Sequence, residues 1–172
     1  MTPDPLEQLP VFLAYSLYLE QESAERLHEL ADVMLRHNRR ELHGLLVKLA
    51  FYSEQHADEV QAICGDTPLP ELHPWEYEWP DMEPPETAGY DSLSYETTTR
   101  QLLELALQLE QGAAEFYAGI ASRSASEEII RHAREFAAEE REHAAALEAW
   151  LDKLPPDAAD QPIDIDPPSA PD

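Results

Sequence analysis

The sequence predicts an all-α protein, a bundle of four helices built as two helical hairpins joined by a long crossover. Three observations predict it. Apolar residues recur at spacings of three and four through two long blocks. The 15 prolines avoid the interiors of those blocks and gather at the N-terminus, between Pro68 and Pro85, and after Leu154. There are only 5 glycines, while Leu, Ala and Glu dominate the periodic segments, a helical composition. With 172 residues, 43% of them hydrophobic, the chain is long enough for one domain with a sizeable core, expected over 1–154.

The first helix is expected over about 10–37. There Val11, Phe12, Tyr15 and Leu19 are followed by Leu27, Leu30, Val33 and Met34. The polar run "RHNRR" (36–40) interrupts the pattern. A second helix, about 40–64, carries Leu42, Leu45, Leu46, Leu49, Phe51 and Val60, and Gly65 suits the left-handed position after its end. The crossover, 65–93, is too rich in proline for a helix but contains Trp75, Tyr77 and Trp79. It is expected to lie along the bundle with Trp75 and Trp79 as anchors. The third helix is expected over 94–122, with Ser94 or Thr97 as its cap. "SRSAS" (122–126) makes a turn in which Ser124 and Glu127 fit a capping box. The fourth helix then runs over 126–153. The acidic, proline-rich tail 155–172 has no periodic apolar face and is expected to be disordered.

Eleven Lys plus Arg against 36 Asp plus Glu give a net charge of −25. A field of that sign repels nucleic acid and anionic membranes, so neither is expected as a partner. The single Cys64 can build neither a disulfide within the chain nor a four-cysteine metal centre. The N-terminal stretch has no basic leader pattern and no apolar run approaches 18 residues, so a cytoplasmic location is expected.

The two helical blocks read as copies of one another. "LEQESAERL" (19–27) aligns with "LEQGAAEFY" (109–117), and "LAFYSEQHADEV" (49–60) with "FAAEEREHAAAL" (136–147). Glu20 thereby corresponds to Glu110, His56 to His143, and Ser53 to Glu140. In an antiparallel hairpin, residues equidistant from the turn share a height. Glu20 and His56 are centred on the first turn, and Glu110 with Glu140 or His143 on the second. Each set stands roughly 20–27 Å from its turn at 1.5 Å per residue, near mid-bundle. Glu140 and His143, one turn apart, point the same way.

Charged groups in a bundle core need compensation. A Glu from each of two helices, with Glu-x-x-His from the other two, is the ligand set of dinuclear iron or manganese carboxylate sites. Carboxylate and imidazole suit Fe, Mn or Zn. Other readings stand beside this one. "EEREH" (139–143) also fits a solvent-facing helix paired with Arg134 and Arg141, and His56 also fits a buried histidine bonded to Glu20. Glu59, one turn beyond His56, is a substitute ligand if it turns inward. Glu54 lies nearly opposite His56 and is a poor one. His28, His37, His43, His73 and His132 are expected at the surface, and Tyr15, Tyr18 and Tyr117 in the core with satisfied hydroxyls. Cys64 has no neighbouring cation that would activate it.

At these residues the chain resembles the ferritin-like superfamily, most closely the rubrerythrin-type di-metal carboxylate proteins. The resemblance covers roughly 11–64 and 92–153. It rests on "EQGAAEFY", with Glu110 and Tyr117, and on "EREH", with Glu140 and His143. It implies a ferritin-like four-helix bundle with five ligands, Glu20, His56, Glu110, Glu140 and His143, holding two ions. Iron is the expected metal, with Mn or Zn as alternatives. Glu140 would bridge the ions. Glu110 and Glu20 would chelate one each, and His143 and His56 would each terminate one. The implied activity is that of a non-haem di-iron oxidoreductase acting on peroxide or dioxygen, with Glu140 and Glu110 as its catalytic residues. A separate electron-donor protein would reduce it, and a homodimer is compatible with the resemblance. The sequence departs from the family pattern at Ser53, where Glu is expected, at Leu27, where Tyr is expected, and at Ala113, where rubrerythrins carry a further Glu. Ser53 sets up the alternative function, a non-catalytic metal-binding or structural bundle with a mononuclear or zinc site.

Overall fold

The structure is a computed structural model that describes residues 4–79 and 98–156. Among these residues it is all-α. Helix α1 spans Leu9–Arg36, α2 Arg40–Cys64, α3 Thr99–Arg123 and α4 Glu127–Leu151. Helix α1 packs along α2, and α3 along α4. The four-helix, two-hairpin architecture expected from the periodicity is therefore the one observed.

Local chemistry sets the ends. The tight α1–α2 turn places Asn38 at φ 57°, a left-handed conformation that Asn tolerates better than most residues. The Arg39 N–H then closes onto the Met34 carbonyl at 2.8 Å. Gly65, φ 54°, ends α2, where a side chain would be strained. Thr98 caps α3 by accepting from the Gln101 N–H, and Gln101 reciprocates toward the Thr98 N–H at 2.9 Å. The alternative caps Ser94 and Thr97 lie outside the described residues. So do 80–93 of the crossover and all of the tail after residue 156.

The α4 cap differs from expectation. Ser126, not Ser124, accepts from the Ile129 N–H. Ser124 instead accepts from the Ser126 N–H at 3.1 Å and donates to Glu7 at 3.2 Å. Glu7 also accepts the Ala125 N–H at 3.0 Å, which fastens the N-terminal turn Pro5–Glu7 to the α3–α4 turn. Helix α4 ends at Leu151, two residues before the expected Lys153.

The crossover expectation holds at one tryptophan and fails at the other. Trp79 is buried at 8% exposure and packs on Tyr15, Tyr77 and Phe116. Tyr15 fixes this segment by accepting the Glu78 N–H at 2.8 Å. Trp75 is 78% exposed and stacks on His73, because the short turn Pro74–Glu76 directs it outward. His132 also departs from expectation: it is buried, one turn from both Ile129 and Phe136 on the core face of α4. His28 is at the surface as expected, paired with Glu54 at 2.9 Å.

The apolar core comes in two parts. One holds Leu27, Met34, Leu46, Leu49, Leu102 and Leu147. The other holds Phe12, Leu19, Val60, Tyr117, Ile129 and Phe136. Along α1 the second part ends at Leu19 and the first begins at Leu27, leaving Glu20 and Ser23 buried between them. A polar layer thus crosses an otherwise apolar bundle.

Candidate metal centre

All four helices supply that layer. Glu20 comes from α1, Ser53 and His56 from α2, Glu110 from α3, and Glu140 and His143 from α4. Glu20, Glu110 and Glu140 are each at 2% exposure or less, and His143 at 4%. Each side chain faces inward because it keeps helical phase with the apolar residues around it. Leu19, Ala24 and Leu27 flank Glu20, and Phe136, Ala137, Ala144 and Leu147 flank the Glu140–His143 turn.

The side chains converge in two groups. Glu20, His56 and Glu140 can each offer one ligand atom with all three atoms within 4.8 Å of one another, and so can Glu110, Glu140 and His143. Glu140 belongs to both. His143 Nδ1 lies 3.2 Å from Glu110 and 3.4 Å from Glu140, while His56 Nδ1 lies 3.7 Å from Glu20. The imidazole rings of His56 and His143 are nearly parallel, 9° apart, with centroids 5.5 Å apart. All five sequence-predicted ligands are therefore brought together. Glu59 is exposed and belongs to neither group, so it does not replace the missing carboxylate.

Electrostatics show what so many acids in one place demand. Burial pushes the Glu20 carboxyl well up, and Glu140 and Glu110 push it further. Burial likewise raises Glu110 to about 8, against the opposing pull of His143. Burial opposes the charge on His143, but its contacts with Glu110 and Glu140 outweigh that and raise it to about 10. For Glu140 burial is again outweighed, by His143 first, so this carboxylate is held low. Burial pushes His56 down. Without a cation, the layer thus resolves into one carboxylate, one imidazolium and acids that keep their protons.

Hydrogen bonding within the chain leaves the layer incomplete. Glu20 Oε2, His56 Nδ1 and Glu140 Oε1 are buried, and none has a hydrogen-bond partner among the described residues. These orphans come one from each residue of the Glu20–His56–Glu140 group, and they are hard-to-borderline donors that fit a divalent cation. Ser53 shows what its substitution leaves behind. It is 1% exposed, at the position that aligns with Glu140, and its hydroxyl bonds to Ser23 at 3.2 Å. Tyr117 reaches from α3 to donate to Glu20 Oε1 at 3.5 Å. Leu27, the counterpart of Tyr117 in the first half, is buried without a hydroxyl to offer.

Glu139 went unassigned in the sequence. Its Oε2 is buried without a hydrogen-bond partner among the described residues and lies 3.4 Å from His56 Nε2. The doubled Glu139–Glu140 was the available signal, but helical phase alone places residue 139 off the core face. Beside it, a cleft of about 470 Å³ lined by Lys48, Tyr52, His56, Glu139, Glu142 and His143 opens between α2 and α4.

Comparison with known proteins agrees with this geometry. The profile of the Rubrerythrin family matches residues 101–163, the half that contains Glu110, Glu140 and His143. A crystal structure of an uncharacterized conserved protein from Magnetospirillum magnetotacticum superposes with a TM-score of 0.72 at 37% identity. That match covers 86% of this chain and 96% of the other. The chain belongs to the rubrerythrin family. No curated protein matches it significantly. For a rubrerythrin-family bundle, the two carboxylate–histidine groups are the candidate metal site. Among the described residues no helix is long and apolar enough to cross a membrane.

Proposed function

We propose that this rubrerythrin-family chain is a non-haem di-iron oxidoreductase that reduces peroxide or dioxygen with electrons from a separate donor protein. The observation that carries the proposal is the membership of Glu140 in both ligand groups, which lets one carboxylate serve two adjacent ions. Glu20 and His56 would hold one ion, Glu110 and His143 the other. A bound iron pair supplies two-electron redox chemistry at a position open to a small oxidant.

The protein's own residues do the rest. Helices α1 to α4 hold the donors at a common level, and the apolar layers above and below exclude bulk water. The cleft between α2 and α4 reaches His56 and His143 and admits a molecule of a few atoms. Tyr117 donates to Glu20 and fixes the orientation of that carboxylate. Protons held on Glu110 and His143 leave as those groups become ligands.

A second reading is favoured by one observation. The Ser53–Ser23 hydrogen bond occupies the place of a sixth ligand. On that reading the site holds one ion, such as zinc, and the bundle is non-catalytic. Metal analysis of anaerobically purified protein, followed by a peroxide challenge monitored by absorbance, separates the two. Two irons per chain that oxidise rapidly support the oxidoreductase. Stoichiometric zinc, or one inert ion, supports the alternative. Ser53→Glu should raise iron affinity if the missing carboxylate limits the site.

A further inference from the structure

His56 presents its two nitrogens to different carboxylates. Nδ1 faces Glu20 Oε2 at 3.7 Å, and Nε2 faces Glu139 Oε2 at 3.4 Å. Glu139 belongs to α4, so this contact crosses from one hairpin to the other. The oxygen it presents is buried and, among the described residues, has no hydrogen-bond partner, so the 3.4 Å approach to His56 is a contact that must close slightly to become a hydrogen bond. An ionised carboxylate oxygen can only accept, and a nitrogen that ligates a cation must carry no proton and keep its lone pair for the metal. The arrangement is therefore satisfied only when His56 carries its proton on Nε2 and keeps the Nδ1 lone pair for the site.

The second hairpin is built differently. His143 also turns Nδ1 inward, toward Glu110 and Glu140. Its ring, however, lies parallel to Tyr52, 8° apart with centroids separated by 5.8 Å. In the alignment of the two halves Tyr52 is the counterpart of Glu139. The same register position thus sets a carboxylate beside one histidine and an aromatic ring beside the other.

We propose that Glu139 is a positioning residue that accepts the Nε2–H of His56, fixes its tautomer, and strengthens binding of the Glu20–His56 ion alone. The two halves of the centre are then unequal by construction, one backed by a carboxyl group and the other by an aromatic ring. Outer carboxylates of this kind orient a ligating imidazole, and their removal costs metal affinity about 10- to 100-fold. This inference rests on the dinuclear reading above.

The test is a zinc titration of the metal-stripped full chain, in competition with a chromophoric chelator. Wild type should bind two ions. Glu139→Ala should weaken one of them by about 10- to 100-fold and leave the other within about twofold. Glu139→Gln, which keeps a carbonyl acceptor, should lie closer to wild type. Nitrogen-15 NMR of zinc-loaded wild type gives a readout that packing alone would not move: His56 should show a protonated Nε2 and a coordinated Nδ1. Equal weakening of both ions, no weakening of either, or a proton on Nδ1 overturns the proposal. If Glu139→Ala fails to fold, the similarly sized Glu139→Leu decides by the same titration: weakening of one ion alone supports the proposal, and equal or no weakening overturns it. A wild type that binds no zinc defeats the dinuclear reading itself, whereas two tight ions insensitive to position 139 defeat only this inference.

Discussion

Raising the pH of the metal-free protein from 7 to 9 should destabilise it, and metal should remove most of that sensitivity. Burial raises Glu110 from 4.5 to about 8, and contacts with Glu110 and Glu140 overcome burial to raise His143 from 6.5 to about 10. Both groups hold their proton more tightly folded than unfolded. The stability they contribute is complete below the unfolded values and is lost as pH climbs through the folded ones. Between pH 7 and 9, Glu110 traverses about one pH unit before passing its folded value, and His143 traverses two. At about 1.36 kcal/mol per unit the loss is about 4 kcal/mol. It belongs to the pair jointly, since the groups lie 3.2 Å apart. Both side chains are at 5% exposure or less, so water screens little of it. His56 is shifted the other way, but the stability it adds is gained as pH rises through 6.5, below this window. The melting temperature, followed by circular dichroism at 222 nm with a chelator present, should fall by roughly 10 °C. With saturating Mn or Zn the ligands are already deprotonated and the fall should shrink. A metal-free melting temperature that stays level or rises from pH 7 to 9 would refute the assignment of buried protons to this layer.

Three further outcomes are expected. Calorimetric metal titrations at pH 7 in buffers of differing ionisation enthalpy should report about three protons released per chain, from Glu20, Glu110 and His143. Glu140→Gln should lower the affinity of both ions while Glu110→Ala lowers mainly one, because only Glu140 is common to both groups; stoichiometry by elemental analysis checks this. Phe12→Ala removes a fully buried ring stacked on Phe136 and edge-on to Tyr117, and should cost about 3–5 kcal/mol in urea unfolding. Because Tyr117 bonds to Glu20, the same change should also loosen metal binding.

The residues that were legible in the sequence share a property: their placement follows from position along a helix. Glu20, His56, Glu110, Glu140 and His143 stand at matching distances from their turns and in phase with buried leucines and alanines. Arithmetic on residue numbers therefore brings them to one level. His132 was misjudged for the complementary reason. It lacks a partner at matching height, yet it shares the core face with Ile129 and Phe136, and face decides burial. Trp75 and Trp79 carry similar side chains four residues apart. Only the path of the backbone through the turn Pro74–Glu76 sends one outward and the other into the core.

By itself the sequence determined the helices, their pairing into hairpins, and the height at which acids and imidazoles gather, because each depends on the helical repeat and on chain connectivity. It also exposed Ser53 as a departure. The tertiary structure alone decided that Ser53 turns to Ser23 and that Glu139 meets His56 across the bundle. Those choices depend on how closely one hairpin approaches the other and on which rotamers the gap allows. Neither distance between hairpins nor side-chain direction is encoded in the spacing of residues along a single helix.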